Sequence, residues 1–194
     1  WPNQARIAVN FVLNYEEGAE NSILHGDAAS EHILSDLYMA QPMVGERNYN
    51  MEQVYEYGSR VGLWRLLKIF ETRSVPSSVY AVGMALDRHP EAAKTMASMN
   101  CDFVSHGWRW IDYQHIDEAT ERQHIARSLD TIERLTGKRP RGYYCGRPSW
   151  NTRRLAVAAG MLYDCDAYND ELPYWILVEG RPHLVIPHTL DDND

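Results

Sequence analysis

The chain has 194 residues, 44% of them hydrophobic and 24% charged, and a formal net charge of −8. That length and apolar content fit one globular domain with a real core, and the acidic balance, without a long basic run, argues against nucleic acid and anionic membrane surfaces as partners. No stretch approaches the ~20 apolar residues of a membrane span, and Cys101, Cys145 and Cys165, with no Cys-x-x-Cys pair, suit a reducing compartment rather than a disulfide framework or a cysteine zinc site.

Arg6 to Leu13 (RIAVNFVL) is β-rich and almost wholly apolar, the pattern of a strand covered on both faces. Two adjacent carboxylates, Glu16 and Glu17, and then Gly18 follow it. From Asn14 to Asn50, glycines, Pro42 and many polar residues read as a long, partly helical loop, the kind that carries function inside a compact domain. Asn50, with Gln53 three residues on, offers an N-cap. Val54, Tyr57, Val61, Trp64, Leu67 and Phe70 recur at helical spacing and predict an amphipathic helix over 51–72. Ser77 to Gly83 reads as a second strand, Pro90 starts a short helix that stops near Asn100, and Asp102 to Gly107 reads as a third strand. Ile125, Leu129, Ile132 and Leu135 share one face of a helix over 117–136, stopped by Gly137. Then come a fourth strand (Arg141 to Gly146), a helix capped at Asn151 or Thr152 and ending at Gly160, a fifth strand (Met161 to Tyr168) and a later one (His183 to Thr189). Strand alternating with helix implies parallel β with helical crossovers, as a barrel or as an open doubly wound sheet.

In either architecture the site is built at the C-terminal ends of the strands. Those ends deliver Glu16 and Glu17; Ser105, His106, Trp108, Arg109 and Trp110; Arg147, Pro148 and Ser149; Asp164, Asp166, Tyr168 and Asp170; and His188, Asp191 and Asp192. A single histidine or aspartate at a strand end is ordinarily a structural residue or a turn cap. The recurrence at successive strand ends points to one polar rim. Its chemistry is hydrolytic. Adjacent carboxylates repel, which raises one pKa and lets it activate water. His106 can donate a proton or hold the water, and Arg147 can polarise a carbonyl. There is no nucleophile-elbow serine motif, phosphate loop or dinucleotide fingerprint.

The order of an acidic pair with glycine, Ser-His-Gly at a third strand, then Arg-Pro resembles the polysaccharide deacetylase (NodB-homology) family. The resemblance implies an α/β fold, a deformed (β/α) barrel of about seven parallel strands. It implies one catalytic domain over residues 1–194, incomplete at both ends, with the family's last histidine motif lying beyond Asp194 and the start trimmed at Trp1. The family's usual Phe-Asp-Asp-Gly reads Tyr15-Glu16-Glu17-Gly18 here. By that alignment Glu16 matches the general base, Glu17 the metal-binding aspartate and His106 the first metal histidine, while Trp110 replaces the second. An indole cannot coordinate, and a catalytic zinc wants three protein ligands plus water, so no metal and no other cofactor is expected. His25 or His188 is the remaining candidate to rescue a metal site.

The strings NYEEGAENSILHGD, SHGWRWIDY, GRPSWNTRRL and DELPYW are similar to a metal-independent allantoinase branch of that family. This resemblance implies ring opening of allantoin to allantoate in purine breakdown, by a cytoplasmic homo-oligomer, a tetramer, acting on a small molecule. Glu16, Glu17, His106 and Arg147 are the expected catalytic residues. Trp108, Trp110, Asp166, Tyr168, His25 and His188 are the expected substrate-binding residues, with Tyr15, Asp27 and Asp170 behind them. The alternative is a metal-dependent N-deacetylase of peptidoglycan or chitin, and a third reading is a silent binding module.

Overall fold

The structure, a computed structural model, describes residues 2–189, so the expected rim residues Asp191 and Asp192 lie outside the described residues. Seven strands form one sheet in the order β1-β2-β3-β4-β5-β7-β6. They are β1 (Phe11–Tyr15), β2 (Ser77–Ala81), β3 (Asp102–Ser105), β4 (Gly142–Tyr143), β5 (Tyr163–Asp164), β6 (Tyr174–Val178) and β7 (Arg181–Val185). Between them run α1 (Tyr49–Tyr57), α2 (Leu63–Arg73), α3 (Gly83–Arg88), α4 (Pro90–Ser98), α5 (Glu118–Thr136) and α6 (Thr152–Ala158). From β1 to β5 the order advances one strand at a time in one direction. Right-handed crossovers then place every helix on the same face, which is the winding of a barrel wall and not of a doubly wound sheet.

The strand sequences explain that arrangement. Val79, Ala81 and Phe103 join Leu86, Met96 and Ile132 from the helices in one core, while Tyr143 joins Ile125, Leu129 and Leu155 in a second. Their strand neighbours Tyr80, Val104 and Tyr144 point to the opposite face and meet Cys165 there, as a period of two requires. α5 has an Asp117 N-cap that accepts from the Thr120 N–H, and Gly137 ends it with φ +72°.

Four expectations are corrected. The first strand covers 11–15, not 6–13, and it is half open to solvent: among the described residues β1 pairs only with β2, and Phe11 and Val12 are exposed. The 51–72 helix is two helices, α1 and α2, joined by a π-helical turn over Gly58–Gly62 and capped by Asn48, not Asn50. The last strand belongs to an antiparallel β6–β7 hairpin, so not all strands are parallel. Its turn is Glu179–Gly180, both residues in the left-handed region. Finally, α3 interrupts what reads as strand at Gly83.

Candidate active site

Tyr15, the last residue of β1, is buried toward the helices, where its hydroxyl lies 2.7 Å from His89 Nδ1. Glu16 departs the other way, and its Oε1 lies 3.1 Å from Nε2 of His106, just past β3. With Glu16 as the acceptor, Nε2 carries the hydrogen of this bond. The other ring nitrogen of His106 is buried without a partner among the described residues. The imidazole packs 4.8 Å from the Tyr144 ring. Tyr144 stacks on His188 at 5.3 Å, and Tyr168 stands edge-on to His188. The expected residues His106, His188 and Tyr168 are therefore brought together by Tyr144. That residue was not expected at the site, although alternation beside core-facing Tyr143 could have assigned it to the site face.

Glu17 diverges from Glu16. Its side chain folds back so that Oε2 accepts the Glu16 N–H at 3.3 Å, and it borders two hollows. The larger, about 320 Å³, is also lined by Glu20, His25, Tyr55 and Arg88; the smaller, about 160 Å³, by Asn14, Glu16, Leu34, Val54 and Tyr55. Burial first, then the nearby Glu16 and Glu20 carboxylates, push the Glu17 carboxyl up to about 7, against the pull of backbone N–H groups. Tyr55 lines both hollows, is buried, and its hydroxyl has no partner among the described residues. Burial and then the Glu31, Glu16 and Glu20 carboxylates hold that phenol protonated.

Arg147 lies flat on Trp110, its guanidinium carbon 3.7 Å from the ring centroid. Both terminal nitrogens are 3.4 Å from Glu31 Oε2. Glu31 is buried and also accepts from Asn21 at 2.8 Å and from the N–H groups of His32 and Ile33. Burial opposes its ionisation, but the Ile33 N–H, the Arg147 charge and the other donors together hold its carboxyl below the ordinary range. Tyr55 also packs against Trp110, with ring centroids 6.0 Å apart. Sequence reasoning missed Glu31, which sits in the 14–50 segment where no periodic signal marks it.

Other expected residues have different roles. Trp108 does not wall the site. Its ring lies against Gly83 and under the Arg127 guanidinium at 3.7 Å, on the helix side of the sheet. Asp166 is not free to read a substrate edge, because its carboxylate accepts from the N–H groups of Cys145 and Gly146 at 2.8–2.9 Å. Burial pushes it up to about 6 against those donors. It is the brace that shapes the loop carrying Arg147. His25 borders the larger hollow, bonded through Nδ1 to the Glu20 carbonyl and through Nε2 to Arg88. Asp27 pairs with Arg109 at 2.6 Å, Asp164 with Arg153 and His183, and Ser149 donates to Glu121, while Asp170 caps a turn.

The metal that the family resemblance implies does not fit these residues. Among the described residues no three His, Cys, Asp or Glu side chains converge as a ligand set. Of the three matching positions, Glu17 turns back onto its own backbone, and Trp110 offers no lone pair and carries a guanidinium on its face.

The polysaccharide deacetylase family model matches residues 50–165, and the chain belongs to that family. All of it aligns, at 37% identity, with 66% of a Schizosaccharomyces pombe protein named for polysaccharide deacetylase. Two crystal structures superpose on the whole chain with a TM-score of 0.95 at 54% identity. They are Puue allantoinase, of which 65% is covered, and a Pseudomonas aeruginosa protein named for polysaccharide deacetylase, of which 66% is covered. The chain thus spans about two thirds of the length of these relatives.

Proposed function

We propose that the protein is a hydrolase that opens a cyclic amide without a metal, with allantoin as the substrate and allantoate as the product. The observation that carries the reading is Arg147 on Trp110: the positive charge available to a polarised carbonyl is a side chain, held by Glu31. Likeness to the allantoinase structure at 54% identity supports the choice of ring.

In this reading Glu16, oriented by His106, takes a proton from water. The resulting hydroxide oxygen attacks a ring carbonyl whose developing charge faces Arg147. The carbon–nitrogen bond of the tetrahedral adduct then breaks, and the proton held by Glu16 passes to the departing nitrogen. Tyr168 flanks the ring, while Trp110 carries Arg147 on its face with Tyr55 packed against it. The reading carries with it a cytoplasmic homo-oligomer, whose tetrameric state sedimentation would test.

The deciding experiment is turnover of allantoin by the purified protein with and without chelator, beside elemental analysis. We expect undiminished turnover and no stoichiometric metal, and a fall in kcat of about 10²–10⁴ for Glu16→Gln. Release of acetate from N-acetylated polysaccharide, with no action on allantoin, would sink the reading.

A further inference from the structure

The join between α1 and α2 is a single π-helical turn, Gly58–Gly62. Such turns are rare and recur at functional sites. Opposite this one stands Glu17. A Cβ built on Gly58 would overlap the Glu17 carboxylate, and the three atoms nearest to it all belong to that one side chain. Glycine is not required here by the backbone. Gly58 has φ −54° and ψ −55°, an ordinary right-handed helical conformation in which alanine is favoured by about 1 kcal/mol. What the position does require is the missing methyl group.

We propose that Gly58 is a positioning residue: its bare Cα is the seat of the Glu17 carboxylate and sets the length of acid that fits. The effect reaches the Glu16–His106 pair in two steps. Glu17 seated on Gly58 presents Oε2 to the Glu16 N–H at 3.3 Å. That bond fixes the backbone from which Glu16 extends toward His106, 3.1 Å away. The inference deepens the hydrolytic reading and depends on it only for its kinetic consequence; the geometry stands independently.

The test is a cycle of Gly58→Ala, Glu17→Asp and the double variant, each crystallised and assayed on allantoin. In Gly58→Ala the added methyl displaces the Glu17 carboxylate, the Glu16–His106 contact opens beyond hydrogen-bond range, and kcat falls about tenfold to a hundredfold with little change in KM. In the double variant the shorter acid retreats from the methyl, so the contact and at least part of kcat return. Should Gly58→Ala be insoluble, Glu17→Asp alone leaves a gap over Gly58 and is expected to loosen the same contact. An unmoved Glu17 carboxylate or an intact Glu16–His106 contact in the single variant overturns the proposal, as does a double variant no better than Gly58→Ala. A parent protein inert toward allantoin refutes the hydrolytic reading instead, and the crystal structures still decide the geometry.

Discussion

Glu17 keeps its proton at pH values where an ordinary glutamate has lost it. Its folded-state pKa is raised to about 7 from 4.5, so between those values the folded chain binds more protons than the unfolded one. Stability from this group is complete below about pH 4.5 and is lost as the pH rises through 7. Asp166, raised to about 6, has the same sign. Glu17→Gln is therefore expected to flatten the decline in urea-unfolding stability between about pH 5 and 7, by at most about 3 kcal/mol. A profile parallel to the parent's would refute the shift. The acids at the end of β1 and His106 were legible because strand ends deliver their side chains to one rim. What the sequence could not reveal was that neighbours Glu16 and Glu17 part company, since their separation depends on a fold-back onto backbone and on a glycine some forty residues away. Trp108 and Trp110 were equivalent on paper. Hydrogen bonds from Gly83 and Met84 to the carbonyls of Gly107 and Trp108 tie that loop to α3 and send the first indole to the helix side.

At the scale of elements, the segment before α1 matters most, because it holds Arg147 in place although its regular structure is one 3-10 turn, Ile23–His25, among the described residues. Glu31 is its anchor, buried and ion-paired, and removing one partner of such a pair leaves an unpaired buried charge. Glu31→Ala is expected to cost about 3 kcal/mol of stability and to lower kcat more than it raises KM, because Arg147, which faces the developing charge, loses its stay. Unchanged thermal unfolding and unchanged kcat would remove Glu31 from the account. α5 could be read almost to the residue because cap, apolar face and glycine stop all agree. The helix before β2 was legible in extent but not in its π-turn, since hydrophobic spacing does not register one inserted residue. The later strand was read from His183 because Pro182 weakens the start of β7, whereas β6 was not read; the pair is marked by the Glu179–Gly180 turn.

At the scale of the molecule, no helix among the described residues is long and apolar enough to cross a membrane. The sheet is most firmly held at its centre, where β2 and β3 are flanked by strands and covered by helices and aromatic side chains. Glu16 lies outside those layers, in the loop just past β1. The acid that meets His106 therefore hangs from a loop, while the imidazole follows β3 and is buried. Warming should therefore silence the protein before it melts: turnover is expected to vanish several degrees below the midpoint of lost ellipticity, as the loop slackens and the sheet behind it stays whole. Coincident curves for activity and circular dichroism would mean that the rim and the body come apart as one piece.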